Sequence, residues 1–244
     1  MLWSTFHVEK LKMTDQFDVV DLGTKHGNAI AEFLKKGNMY LGNDQLFKSF
    51  RKDRCVGYER PEAENYRSIV EKKKFRFRVA DLATDEAIAA MPAAHVYLAW
   101  HFLEHVPNKS RANKLVKASL TNAKSLAWFR LPSFEQDKDT GEGVLREHGM
   151  RFCWTHWTGH PTHWLVQDCV EAIEEWAKDN PEREYTFKVK PAELYKNIGN
   201  PRIVPISAPI DTNEYSESLG PKPKLPNFKP PVVSAWEVIV NFSN

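Results

Sequence analysis

FDVVDLGTKHGNAIAEFLKKG, residues 17–37, is the stretch that decides the fold. Its first six residues form a short apolar run, Gly23 and Gly27 mark a tight turn, and apolar residues then recur at helical spacing. The pattern predicts a strand, a glycine-containing turn and a helix. Such a unit lets a ligand approach the backbone, and the first amides of the helix offer it donors.

The same rhythm recurs along the chain. Further strands are predicted at residues 55–58, 75–79, 95–100, 125–131, 151–157, 185–189 and 236–242, and further helices at 63–70, 85–91, 109–124 and 164–178. Alternating strands and helices imply a mostly parallel sheet that is covered on both faces. We therefore expect one α/β domain over residues 1–244, with a Rossmann-like, mostly parallel seven-stranded sheet, helices on both faces and a Pro-rich C-terminal extension.

Composition narrows the function. The 244 residues carry 34 basic and 32 acidic side chains, and a net charge of +2 gives no strong signal for nucleic acid or for an anionic membrane. Three cysteines without close spacing suggest reduced core thiols, and no apolar run is long enough to span a bilayer. We expect a cytoplasmic protein, and the sequence leaves its oligomeric state open.

Carboxylates stand at the ends of the first three predicted strands. Asp21, Glu59 and Asp81 fall at or just after the carboxyl ends of these strands. In an open parallel sheet, ligands bind at this edge, where the strand order reverses. An acid taken alone is more often a helix cap, but three acids beside a glycine turn predict a crevice for a cationic or hydroxyl-rich ligand.

Four motifs now resemble those of the class I S-adenosylmethionine-dependent methyltransferases, in the small-molecule-type branch. VVDLGTKHGN, VGYE, RVADL and VYLAWHFLEHVPN occur in the family's order, within a resemblance that covers about residues 15–157. The resemblance implies S-adenosylmethionine as cofactor and a cofactor site made of Asp21, Gly23, Thr24, Gly27, Glu59, Asp81 and Trp100. In the family the second acid holds the ribose hydroxyls, and the third reaches the adenine amino group. One departure is that Lys25 and His26 separate the two glycines of the turn.

This interpretation predicts methyl transfer to an oxygen or nitrogen of a small-molecule acceptor. His101 and His105, just past the fourth strand, are the candidate catalytic bases. His156, Trp157 and His160 are the candidate acceptor-binding residues, and Trp154 and Trp164 are further aromatic side chains for that pocket. Residues 132–164 and the Pro-rich 200–231 are expected to be substrate-side loop or lid elements. This site includes no metal.

Two alternatives remain open at the level of the sequence. His101, Glu104 and His105 match H-x-x-E-H, in which one helix face presents two zinc ligands and a glutamate that activates water. Glutamates farther on offer a third ligand, among them Glu171, Glu174 and Glu182. The altered glycine turn also fits a methyltransferase-like scaffold that binds a partner without turnover.

Overall fold

The computed structural model describes residues 16–41 and 44–243, so the predicted lead-in before residue 16 lies outside the described residues. Nine strands are formed in this part of the chain: β1 (Phe17–Leu22), β2 (Cys55–Glu59), β3 (Arg76–Val79), β4 (Ala94–Trp100), β5 (Ala123–Pro132), β6 (Met150–Phe152), β7 (Tyr185–Tyr195), β8 (Ile203–Pro205) and β9 (Val232–Phe242). Seven of them make one sheet in the order β3-β2-β1-β4-β5-β9-β7. The predicted seven-stranded, mostly parallel sheet is confirmed.

The order of the strands reverses between β1 and β4. β1 pairs in parallel with β2 on one side and with β4 on the other, where Asp21 lies opposite Leu98. All six residues of β1 are buried, as are all five of β2. Strands buried on both faces are typical of parallel sheets that are enclosed by helices. The carboxyl ends of β1 to β4 therefore meet at one edge of the sheet, which is the usual ligand edge.

Helices cover both faces. They are α1 (Asn28–Lys36), α2 (Asn38–Leu41), α3 (Asp44–Lys48), α4 (Arg67–Lys72), α5 (Asp85–Ala89), α6 (Lys109–Asn122), α7 (Glu142–Arg146) and α8 (Val166–Asp179). One apolar core holds Ile30 and Phe33 of α1 against the sheet, and a second core on the other face takes residues of α6 and α8. Asn108 caps α6, because its Oδ1 accepts the Arg111 N–H at 2.9 Å.

The C-terminal strand completes the sheet in antiparallel orientation. β9 lies between β5 and β7 and pairs antiparallel with both. Both β9 and β7 have eleven residues and extend beyond the predicted ranges. No helix in the described part of the chain is long and apolar enough to cross a membrane.

The prediction of a strand over residues 151–157 is largely wrong. β6 ends at Phe152, and a 3-10 turn follows over Cys153–His156. β6 pairs with β8 of the Pro-rich stretch in a separate two-stranded sheet. A third apolar cluster, which includes Phe152, Trp154 and Ile203, forms around this small sheet. The small sheet, and not the main one, therefore buries the aromatic residues of this segment.

Candidate active site

The glycine turn after β1 has the backbone that only a residue without a side chain adopts easily. Gly23 has a φ of 72°, and a Cβ there would collide with the Phe102 ring. Gly27 has a φ of 69° and precedes α1. Between them Lys25 has a φ of 43°, a left-handed conformation that is unfavourable for a lysine. The turn therefore keeps the backbone of a glycine turn with a lysine in its centre.

The three predicted carboxylates take different positions around this turn. Glu59 is buried at the end of β2, and its Oε1 accepts the Lys25 N–H at 2.8 Å. Asp81 is exposed and accepts the Ala83 N–H at 3.0 Å. Asp21 lies beneath the turn, where burial raises its pKa to about 8, and the neighbouring Thr24 hydroxyl offsets this only in part. Glu59 and Asp81 are thus at the surface of the crevice, and Asp21 supports it from below.

A cavity of about 590 Å³ opens at this edge of the sheet. Its wall includes Gly23, Glu59 and Asp81 from the first three strand ends, and His101 and His105 from the turn after β4. Its position is the crevice at which doubly wound sheets bind ligands. The volume lies in the range of pockets that enclose a drug-sized ligand.

The segment after β4 is not the helix that the H-x-x-E-H interpretation requires. His101 has a φ of 52°, and its backbone N–H donates to the Arg130 carbonyl at 2.8 Å. Only a single 3-10 turn follows, over Leu103–His105. Two histidines four residues apart share a face only on an α-helix. The predicted zinc-peptidase geometry is therefore wrong for this segment, and Glu171, Glu174 and Glu182 are not part of the cluster that the segment forms.

That turn meets the loop after β6. The Thr162 hydroxyl donates to the Val106 carbonyl at 2.7 Å, and the Thr162 N–H donates to the Glu104 carbonyl at 3.3 Å. These bonds bring His160 beside His105, with 4.7 Å between the ring centroids. One ligand atom from each of Glu104, His105 and His160 lies within 4.8 Å of the other two. Residues from two elements about 55 positions apart thus form one cluster.

The surroundings of this cluster disfavour charge. Burial raises the pKa of Glu104 to about 8 and lowers that of His160 to about 4. Burial also lowers the pKa of His105. The pKa of His101 falls because of dense packing and the positive charge of Arg130, although 44% of its side chain is exposed to the cavity. Both candidate bases are therefore neutral imidazoles near pH 7.

A second cavity of about 460 Å³ adjoins the first. Both cavities are lined by Lys25, His101, His105 and Trp157. The second is also lined by Glu104, Trp154, His160, Glu193, Arg202 and Glu214. The two spaces therefore meet at the turn after β4, where the histidines lie.

Some predicted site residues lie elsewhere. Trp100 packs against Trp128, with 4.8 Å between the ring centroids, and the Arg130 guanidinium lies over the Trp100 ring. Trp100 lines neither cavity. His156 is exposed and lines neither cavity. Trp164 is buried in the core beside α8, so of the three tryptophans only Trp154 and Trp157 reach the second cavity.

Sequence reasoning missed the side chains that the C-terminal half adds to the second cavity. Glu193 comes from the edge strand β7, and Arg202 and Glu214 come from the Pro-rich stretch. No motif marks them, since a single charged residue in a loop carries no spacing signal. The sequence places Glu104 and His105 in the H-x-x-E-H motif and His160 among the acceptor-binding candidates, and only the fold reveals their contact.

The fold and the crevice define a class, that of the class I S-adenosylmethionine-dependent methyltransferase fold. No family model matches the chain, and no curated protein matches it. A solved S-adenosylmethionine-dependent methyltransferase from Archaeoglobus fulgidus is similar over 94% of this chain and 87% of its own, with a TM-score of 0.55 and 12% identity. At this identity the likeness concerns the fold.

Two further solved structures are similar. One is a complex between the Haloferax volcanii Trm112 methyltransferase activator and the putative methyltransferase, with a TM-score of 0.50, 12% identity and coverage of 94% of this chain and 82% of the matched chain. The other is the small RNA methyltransferase HEN1, with a TM-score of 0.51 and 10% identity. This match covers 93% of the chain but only 23% of HEN1.

Proposed function

We propose that this protein transfers a methyl group from S-adenosylmethionine to an oxygen or nitrogen of a small-molecule acceptor. The observation that carries the proposal is the junction of the two cavities at the carboxyl edge of the sheet, where both are lined by His101, His105 and Trp157. A transferase of this kind has to hold a donor and an acceptor on either side of the reacting atoms.

The larger cavity fits the cofactor. Glu59 uses Oε1 to accept the Lys25 N–H, so its second oxygen is available for ribose hydroxyls. Asp81 and Gly23 line the same cavity, and we assign the adenine amino group to the Asp81 carboxylate. Lys25 lies in the turn that borders this cavity, so cofactor binding is the step to measure.

The histidines fit the role of base. When bound, the cofactor supplies an electrophilic methyl group at its sulfonium. A carbonyl oxygen only accepts hydrogen bonds, so the 2.7 Å contact between His105 Nδ1 and the Gly159 carbonyl places the proton on Nδ1 and leaves the Nε2 lone pair free. The lowered pKa values of His101 and His105 keep both rings neutral. A neutral imidazole at the junction can take the proton of a hydroxyl acceptor.

The acceptor side is assigned to residues 132–164 and 200–231. Trp157 and His160 from the first range and Arg202 from the second line the smaller cavity. A space of about 460 Å³ suits a small molecule, and the mixture of acidic and basic side chains differs from the basic groove that a nucleic acid requires. His156, on the outer side of the same loop, is assigned to the rim.

Calorimetric titration with S-adenosylhomocysteine tests the proposal. We expect saturable binding that Glu59→Gln weakens about 10- to 100-fold, because hydrogen bonds to a charged group contribute about 1.5–3 kcal/mol. Glu71→Gln is the matched control, since Glu71 is exposed and pairs with Arg67 on α4. No binding by a folded wild-type protein would favour the non-catalytic scaffold. Binding that is equal in both variants would mean that the crevice is elsewhere.

A further inference from the structure

The cluster of Glu104, His105 and His160 has an unsatisfied carboxylate at its centre. Glu104 is 1% exposed, and its Oε2 has no hydrogen-bond partner in the part of the chain that the structure describes. No lysine or arginine lies within ion-pair distance of it among these residues, and the neutral His101 imidazole lies 3.8 Å from its Oε1. A buried carboxyl oxygen without a partner is costly, and a bound ion is one way in which such a group is satisfied.

The two histidines are oriented as metal ligands are. His105 Nδ1 contacts the Gly159 carbonyl at 2.7 Å, and His160 Nδ1 contacts the Trp154 carbonyl at 3.2 Å. Each ring therefore carries its proton on Nδ1 and keeps a lone pair on Nε2. A backbone carbonyl that fixes the tautomer of a ligating histidine is a regular outer partner in metal sites.

We propose that Glu104, His105 and His160 form a binding site for a first-row divalent transition-metal ion, that is, an ion in the series from Mn²⁺ to Zn²⁺. Two imidazoles and one carboxylate are borderline ligands that suit these ions better than Mg²⁺ or Ca²⁺, which prefer oxygen. The ligand atoms lie within 4.8 Å of one another, and around a bound ion such atoms are about 3–3.5 Å apart. Side-chain movements of about 1 Å close the difference.

The position of the metal site indicates the role of the ion. All three side chains line the smaller cavity, and His105 also lines the larger one. The ion keeps open coordination positions that face the acceptor space. It would bind the acceptor oxygen and lower the pKa of the hydroxyl, so that the hydroxyl proton could pass to water in the open cavity. This role rests on the proposed function and narrows the acceptor to a hydroxyl compound, whereas the metal site itself does not depend on methyl transfer.

Cobalt titration of the chelator-treated 244-residue chain tests the site directly. Co²⁺ is a probe with visible ligand-field absorption, and it quenches nearby indoles. Trp157 lies 4.5 Å from the His160 ring and 5.7 Å from the His105 ring, so its fluorescence reports on the same position. We expect one equivalent of Co²⁺ to bind with both signals, to be displaced by Zn²⁺ and to resist displacement by a similar concentration of Mg²⁺.

Substitutions of the proposed ligands test whether Co²⁺ binds at this cluster. Glu104→Gln and His160→Ala should each weaken Co²⁺ binding by at least the 10- to 100-fold that loss of an outer partner alone costs. His148→Ala is the matched control, since His148 is an exposed histidine outside both cavities. Absence of stoichiometric binding, or binding that is equal in all four proteins, would overturn the proposal. Glu104→Gln keeps the side-chain volume, so it tests the ligand even if His160→Ala destabilises the fold.

The outcome of the Co²⁺ titration can be separated from the outcome of the S-adenosylhomocysteine titration. Glu59→Gln should leave Co²⁺ binding unchanged, because Glu59 is not part of the cluster. Glu104→Gln should leave S-adenosylhomocysteine binding within about threefold of wild type. A protein that binds Co²⁺ but not S-adenosylhomocysteine would contradict the proposed function alone, and the reverse pattern would contradict the metal site alone.

Discussion

Lys25 is the residue at which this chain departs most clearly from a glycine turn. Its φ of 43° places an L-residue with a long side chain in the left-handed region. Such a conformation costs about 1–3 kcal/mol for a residue other than glycine. Its N–H nevertheless binds Glu59, and its side chain lines both cavities. A strained residue that touches both spaces is more readily explained by use of its ammonium group than by stability.

Lys25→Gly should therefore stabilise the free protein. We expect the free energy of unfolding to rise by about 0.5–1 kcal/mol, since the relieved strain exceeds the entropy cost of a glycine. Lys35→Gly in α1 is the control, because Lys35 is exposed and helical and glycine there should cost about 0.5–1 kcal/mol. Urea unfolding of both variants measures the sign of each change in the free energy of unfolding. A loss of stability in Lys25→Gly would show that the lysine side chain itself holds the turn.

Asp21 predicts a pH dependence. Its folded-state pKa of about 8 lies above the ordinary value of 3.8, so the native state keeps a proton that the unfolded chain loses as the pH rises between these values. Wild-type stability should therefore fall with pH in that window, whereas Asp21→Asn has no such proton. The difference in unfolding free energy, variant minus wild type, should grow by about 1.4 kcal/mol per pH unit.

Urea unfolding of wild type and Asp21→Asn at pH 5, 6 and 7 gives this difference. Asp139→Asn, at an exposed aspartate, is the control. A flat difference for Asp21→Asn would mean that the buried carboxyl is ionised in the native protein.

At the scale of elements, one carboxylate links the three strands on the C-terminal side of the sheet. Glu237 of β9 is 3% exposed and accepts from Arg130 of β5 at 2.6 Å. Its other oxygen lies 3.0 Å from the Lys190 ammonium of β7. The charge is buried but fully paired, so its removal leaves two cations that face each other across the strand.

Glu237→Ala should cost about 2–4 kcal/mol of unfolding free energy, somewhat less than a fully enclosed pair, because Arg130 and Lys190 are partly exposed. Asp85→Ala is the comparison. Asp85 also pairs with two cations, Arg111 and Lys114, but its side chain is 63% exposed, and we expect a much smaller cost. Equal costs in thermal or urea unfolding would contradict the assignment of Glu237 as the link between these strands.

The elements also show what the sequence could predict. The parallel half of the sheet was predictable because β1, β2 and β4 carry nearly continuous apolar runs between turn residues. Each run is enough by itself to indicate a buried strand. Residues 151–157 were mispredicted because a run of aromatic residues does not say which sheet will bury it. The paired partner, β8, lies in a Pro-rich stretch with no periodic signal of its own.

At the scale of the whole molecule, the site joins parts that the sequence keeps apart. Asp21, Glu59 and Asp81 were predictable together, because strand ends of a parallel sheet converge by topology. The contact of His160 with His105 was not, since it depends on hydrogen bonds between two irregular segments, such as that from Thr162 to Val106 at 2.7 Å. Irregular segments are fixed by tertiary contacts, and no local pattern encodes these.

Amide hydrogen exchange with and without S-adenosylhomocysteine tests this division of the molecule. Ligand binding raises global stability, so amides that exchange by global unfolding slow everywhere. The informative amides are those that exchange quickly by local opening. We expect local protection at residues 23–27, 59–63, 80–83 and 101–106, which border the larger cavity. Fast-exchanging amides at residues 206–220, in the Pro-rich stretch, should be unaffected, because the cofactor side does not include them.

The Glu59→Gln variant at the same ligand concentration is the control and should lose this local protection. Protection centred on residues 206–220 would place the ligand in the smaller cavity and reverse our assignment of the donor and acceptor sides.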